Sequence, residues 1–262
     1  YTDRLLERIR NDPEAAEHDY YFDALSLHIY FRTDTVYEIV GIYRELLDSY
    51  DFADKAIWIT ETNASPNLDP DWPVERPQFQ ISLEQQASFV IQAAALGLAA
   101  GAERIAVYKL YDQHLPPGGE SFGLLNPADE TPRPAFYAWR TVIQHLHGVE
   151  DARLAATDQV SMVRLVHTDG RQTMVAWART GTPVTVEVAA TSDKAYLLAL
   201  DGGQTIIRPQ DGIYTLALPG AVCESGREGC VVGGPVTILV QPHAESATAV
   251  VSGQNRTPLE FE

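Results

Sequence analysis

The sequence predicts an α/β unit followed by an all-β unit. Three observations carry that reading. Residues 20–148 alternate short apolar runs with amphipathic helical stretches. No convincing helical pattern follows Gly148. Beyond it, β-branched runs are separated by turn residues. The boundaries fall at 1–150 for the α/β unit, 151–242 for a small β-sandwich, and 243–262 for a polar, unpatterned tail or linker.

Residues 3–10 place Leu5, Leu6 and Ile9 at helical spacing. The segment 23–30, DALSLHIY, alternates and then runs apolar, as a strand does. Over 35–50, Val36, Ile39, Val40, Tyr43, Leu46, Leu47 and Tyr50 form one helix face, with Thr35 and Glu38 spaced as a capping box. The run 55–60, KAIWIT, reads as a strand buried on both faces. A loop with Pro66, Pro70, Pro73 and Pro77 follows. Ser82 and Gln85 then open a second helix by capping logic, and Gly101 closes it. The run 104–111, RIAVYKLY, is the third strand. Pro134 suits the first turn of a third helix, and Gly148 its stop.

Strands separated by helices imply parallel pairing. Long loops follow the second and third strands, and in such folds active sites are built from the loops after the strands. The β unit reads as strands at 160–168, 172–179, 183–190, 194–201, 212–219 and 235–242. Thr168-Asp169-Gly170-Arg171 and Asp201-Gly202-Gly203 are hairpin signals.

The net charge of -17 argues against nucleic-acid binding, which needs a basic surface. The most apolar stretch, 89–100, is too short to span a bilayer. The two cysteines, Cys223 and Cys230, bracket a polar loop. A local disulfide in an oxidising compartment is the simplest reading, and two free thiols are the alternative. No other Cys or His has metal-ligand spacing, so no metal is expected. Asn63-Ala-Ser and Asn255-Arg-Thr match the glycosylation acceptor pattern. Tyr1 is no initiator and no signal peptide is visible, which suggests a beginning upstream.

Glu61 ends the second strand, where catalytic carboxylates of barrels sit. A Glu that caps a helix or pairs with an Arg is the alternative. His28 and Tyr30 end the preceding strand on one side of it and could hold that carboxylate by hydrogen bonds. At the third strand's end, Tyr108, Lys109, Tyr111, Asp112 and His114 offer polar groups and ring faces suited to a sugar. Trp72 is either a stacking platform or an anchor for its loop.

The order DALSLHIY, IWITETNA, IAVYKLYD and GLLNPADETPRPAFYAW resembles the end of a clan A retaining glycoside hydrolase. The resemblance implies the last three β/α units of a (β/α)8, or TIM, barrel, followed by a small β-sandwich. Glu61 would then be the nucleophile at the seventh strand, with His28 and Tyr30 ending the sixth and orienting it. Arg133-Pro134-Ala135-Phe136-Tyr137 resembles the start of the eighth helix, and Gly234-Pro235 the approach to the last sandwich strand. Substrate contacts would include Tyr108, Lys109, Asp112 and Trp72. No cofactor is implied.

Two departures stand out. Lys109 lies where the clan usually has a Trp. The Asn-Glu general acid/base of the fourth strand is absent from this chain. Retaining hydrolysis needs two carboxyl groups about 5–5.5 Å apart, and three strands cannot close a barrel. The expected partners are therefore a carbohydrate and the amino-terminal half of the barrel, from an upstream segment or a separate chain. The expected location is secreted or cell-surface. Two other functions fit: a non-catalytic extracellular carbohydrate-binding or structural protein, and a lyase using Lys109 for a Schiff base. The latter needs a depressed lysine pKa.

Overall fold

A computed structural model describes residues 1–224, 229–242, 249–251 and 257–261. Helix α1 (Thr2–Arg10) buries Leu6 and leaves Leu5 exposed, and a 3-10 segment, Ala15–Tyr21, follows. Three strand–helix units come next: β1 (Ala24–Tyr30) with α2 (Asp34–Ser49), β2 (Ala56–Asn63) with α3 (Leu83–Ala99), and β3 (Arg104–Val107) with α4 (Pro134–His145). The strands pair in parallel in the order β1-β2-β3.

The cap of α3 follows the sequence. Ser82 accepts from the Gln85 amide, and the Gln85 side chain accepts from the Ser82 amide. The capping box expected from Thr35 and Glu38 does not form. The helix begins at Asp34, after Thr33. Thr33 Oγ1 donates to Gln92 Oε1 at 2.8 Å, and Thr35 Oγ1 donates to the Arg32 carbonyl at 2.7 Å. A tertiary bond and a turn thus take the hydroxyls. The third strand is also shorter than its apolar run. Lys109 and Leu110 leave β2 and bond instead to the returning segment, through Phe122, Leu124 and Leu125.

Helix α3 is buried from Gln85 to Gly97. It lies close to the sheet because Gly97 has no side chain. A Cβ there would stand 2.8 Å from Ile105 Cδ1 and 2.9 Å from Ile59 Cδ1.

The remaining strands are β4 (Val149–Ala156), β5 (Val160–His167), β6 (Gln172–Ala178), β7 (Val184–Ala189), β8 (Ala195–Leu198), β9 (Gln204–Ile207), β10 (Ile213–Leu218), β11 (Thr237–Gln241), β12 (Ala249–Val251) and β13 (Thr257–Leu259). One sheet runs β4-β5-β6-β11-β8-β9, the other β10-β7-β12-β13. Gly170 and Gly202, both at positive φ, turn the β5–β6 and β8–β9 hairpins as the sequence suggested.

Four strands were not foreseen. Glu150, Asp151 and Arg153 interrupt the apolar pattern of β4, an edge strand in which Ala155 alone is buried. β9 is a mostly exposed edge strand. β12 and β13 fall inside 243–262, so that segment is not wholly a linker. Ala249 and Leu259 supply its buried apolar contacts.

Two apolar clusters organise the chain. One runs from α1 through α4 to Val163, Leu165, Val175, Trp177 and Ile238 of the larger sheet. The other fills the space between the two antiparallel sheets with Met162, Met174, Ala176, Val186, Val188, Leu216 and Leu239. β6 is therefore buried along its whole length. The first cluster crosses residue 150, so the α/β unit and the larger sheet share a core. Arg179, paired with Asp34 at 2.9 Å, and Gln92, donating to the Gly234 carbonyl at 2.8 Å, fasten the same junction. The opposite face of the parallel sheet is open. Ser26, His28, Arg104 and Ala106 are exposed on it, and the Arg104 guanidinium covers the Trp58 ring at 4.7 Å.

Candidate active site

The site stands at the carboxyl end of the parallel sheet, where β1 and β2 meet. Alternation along β1 buries Leu27 and Ile29 and turns Ser26, His28 and Tyr30 the other way. On β2 the same rule would send Glu61 to the helix side, with Ile57 and Ile59. It does not, because the register slips: Leu27 pairs with Ile59, but His28 pairs with Glu61. Thr60 is the extra residue of a β-bulge, a device that re-aims side chains. Thr60 and Glu61 consequently share the open face.

There Glu61 Oε2 accepts the Tyr30 hydroxyl at 2.6 Å and lies 3.3 Å from His28 Nδ1. The Glu61 side chain is 32% exposed and His28 56%, so both remain accessible. Burial, and next the Glu61 carboxylate, hold the Tyr30 phenol well above its ordinary range. The phenol therefore donates to a carboxylate rather than competing with it as a second anion. Three of the residues expected to act together are in contact.

The third strand's contribution is mixed. Tyr108 is half-buried, with its ring 6.2 Å from that of Tyr30. Lys109 Nζ pairs with Asp112 Oδ1 at 3.1 Å and lies 5.1 Å from the Tyr108 ring centroid. Desolvation works to lower the Lys109 pKa, but the Asp112 carboxylate outweighs it and the net shift is upward. That is the opposite of what Schiff-base chemistry requires. Asp112 is not an open substrate contact. Its side chain is 3% exposed, and Oδ2 accepts from Ser121 Oγ at 2.7 Å and from the Gly123 amide at 2.8 Å. Tyr111 is exposed and receives the Gln113 amide at 2.9 Å, and His114 is exposed at φ +55. Trp72 is half-buried, and its indole N–H donates to the Gly119 carbonyl at 2.9 Å, which ties two loops together. The loop-anchoring reading of Trp72 accounts for that bond.

Sequence reasoning missed the residues that hold these loops. Asn63 ends β2 fully buried. Its Nδ2 donates to the Tyr108 and Phe122 carbonyls, both at 2.7 Å, and its Oδ1 accepts the Ala64 amide at 2.8 Å. A buried, fully engaged amide cannot carry a glycan, so the Asn63 acceptor match is not a modification site here. Asn255 lies outside the described residues. Arg133, at the start of α4, donates to Asp69 Oδ2 at 2.6 and 3.0 Å, to Ser121 Oγ at 2.7 Å and to the Gly123 carbonyl at 2.9 Å. Arg133 and Asp69 side chains are 2% and 0% exposed. Two loops and a helix start are thus locked by one guanidinium. The one signal in the sequence was Arg133 directly before Pro134.

Cys223 and Cys230 form a disulfide. The residues on either side of Cys223 bond the segment after β2: Gln85 Nε2 donates to the Val222 carbonyl at 3.0 Å, and the Gln80 amide bonds the Glu224 carboxylate. Among the described residues no cluster of His, Cys, Asp or Glu could hold a metal ion. No helix among them is long and apolar enough to cross a membrane.

No protein-family profile matches the sequence. No curated protein matches it either. Among solved structures, the chain is similar to a family 39 glycoside hydrolase from the gut symbiont Bacteroides cellulosilyticus WH2, with a TM-score of 0.59 and 18% identity over 87% of this chain and 46% of that one. A glucosidase from Croceicoccus marinus aligns at a TM-score of 0.48 and 14% identity, over 88% of this chain and 58% of that one. The chain spans about half the length of the solved structures it matches. At such identity the likeness is one of fold: the chain has a mixed α/β fold similar to that of a glycoside hydrolase.

Proposed function

We propose that the chain is the carboxyl-terminal part of a retaining glycoside hydrolase, its parallel sheet being the last three units of a (β/α)8 barrel and its antiparallel sheets a β-sandwich. One observation carries the reading: an accessible carboxylate, Glu61, accepts a 2.6 Å hydrogen bond from Tyr30 and is flanked by His28 at a strand's carboxyl end.

In this mechanism Glu61 attacks the anomeric carbon as the glycosidic C–O bond breaks and the leaving oxygen takes a proton from a second carboxyl group. Water, deprotonated by that group, then hydrolyses the glycosyl ester and frees Glu61. Tyr30 and His28 fix the attacking oxygen. The second carboxyl group belongs to the amino-terminal half of the barrel, because the nearby Asp112 is buried and committed to Ser121 and Gly123. The neighbour's length and the open face of the sheet support that division. The substrate is an oligo- or polysaccharide, and the disulfide supports a secreted or cell-surface location.

The buried state of Asp112 also favours a second reading, in which the chain binds sugar without cleaving it. Both are separated by treating the full-length protein with 2-deoxy-2-fluoroglycosyl fluorides and mapping the labelled peptide. A label on Glu61 supports the hydrolase. Sugar binding with neither label nor turnover supports the binding protein.

A further inference from the structure

The loops after all three parallel strands each send one phenylalanine to the same place. Phe31 follows β1, Phe79 follows β2 and Phe122 follows β3. Phe31 and Phe79 are stacked, with centroids 4.8 Å apart and planes 28° apart. Phe31 and Phe122 meet edge-on at 5.7 Å, and Phe122 meets Tyr30 at 5.3 Å. Each of the three rings is half-buried, whereas apolar rings serving only the core, such as Phe52 and Phe89, are 1% and 0% exposed. Phe31 holds this position at φ +67, a conformation L-residues seldom adopt. Its amide is secured by the Asn63 carbonyl at 2.9 Å. Strained backbone of this kind concentrates at ligand sites.

We infer that Phe31, Phe79 and Phe122 form an aromatic shelf that stacks against the sugar unit next to the one attacked at Glu61. This rests on the hydrolase reading above. The shelf is continuous with Glu61 through Tyr30, which touches both Phe122 and the carboxylate. The C–H face of a pyranose is apolar, and aromatic faces are its usual complement. The neutral shelf assigns a specificity for chain length: a substrate with a second unit reaches it, and a single glycosyl unit does not.

The test compares Phe79→Leu, which keeps bulk but loses the π face, with Phe79→Tyr, which keeps both. Substrates are di- to pentasaccharides of gluco, manno, xylo and galacto configuration, alongside the matching monosaccharide glycosyl fluorides. The shelf predicts that Phe79→Leu loses about tenfold in kcat/KM on oligosaccharides. It predicts unchanged turnover of glycosyl fluorides and near wild-type behaviour of Phe79→Tyr. Equal losses on both substrate types, or no loss on either, overturn it. Should the wild type hydrolyse nothing, the hydrolase reading fails, and the shelf is judged by calorimetric titration with the same oligosaccharides. Binding weakened by Phe79→Leu and restored by Phe79→Tyr supports it. Absent wild-type binding, or binding indifferent to Phe79→Leu, refutes it.

Discussion

Tyr30 and Glu61 come from adjacent parallel strands and meet through a single 2.6 Å hydrogen bond. The bond joins a phenol held protonated to a carboxylate accessible from the sheet's open face. Glu61→Gln keeps the shape and removes the nucleophile. It is expected to lower kcat by about three orders of magnitude or more while leaving the melting temperature close to wild type. Steady-state kinetics and a thermal scan on the full-length protein check both halves.

Tyr30 also makes a prediction that needs no substrate. Burial and the Glu61 carboxylate both favour its neutral form, so the folded protein should not ionise it near pH 10. Ultraviolet titration of native wild type and Tyr30→Phe should therefore coincide up to about pH 11. A missing tyrosinate signal in the variant would show that Tyr30 titrates normally.

Arg133 and Asp69 form a buried pair that also binds Ser121 and Gly123. Removing one partner strands a charge. Asp69→Ala is expected to cost about 3–5 kcal/mol in denaturant unfolding. Arg133→Lys should not rescue the fold, because an ammonium cannot reproduce the fork that reaches three partners.

His167 is buried between the His147 carbonyl at 2.9 Å and Thr173 Oγ1 at 3.0 Å. Desolvation lowers its pKa, against an opposing bond from the His147 carbonyl. Above the unfolded value of about 6.5, both states hold a neutral ring and stability is flat with pH. Below it, the unfolded chain takes up a proton that the folded ring resists, so stability falls as pH falls toward the folded pKa. His167→Gln should show a shallower decline in melting temperature than wild type as the pH falls below about 6.5. Parallel curves for the two proteins would count against the assignment.

The disulfide Cys223–Cys230 closes a short loop at the point where Glu224 and the preceding Val222 bond Gln80 and Gln85. Replacing both cysteines with serine should cost about 2 kcal/mol by loop entropy. Because that loop leans on the segment carrying Phe79, proteolysis of residues 76–82 should also quicken, as limited digestion followed by mass spectrometry would reveal.

The strand–helix alternation was legible because β1, β2 and the three helices carry strong local patterns. The Ser82–Gln85 cap was legible for the same reason: its chemistry lies within four residues. Thr35 and Glu38 had the same spacing and failed, because Thr33 found a better partner on α3. β4 was hidden by its charges and β9 by its exposure. At the site, Glu61, His28 and Tyr30 could be read from their positions at strand ends. The burial of Asp112 could not, since it depends on Ser121 and Gly123 folding back over it. Nor could the Arg133–Asp69 lock, whose members are separated by 64 residues.

The extra residue at Thr60 has a consequence for how this site can change. Substituting Thr60 would trim one hydroxyl contact with Ser26. Deleting it would heal the bulge and leave Glu61 opposite His28 on the open face, where ordinary alternation after Ile59 places it. Closing the bulge with Thr60 kept in the ladder would instead turn Glu61 to the buried side, toward α3, and bring Thr62 to the mouth. The aim of the carboxylate thus depends on Thr60 being left out of the pairing with β1, and a one-residue slip in register would silence the site while every side chain named in it survived.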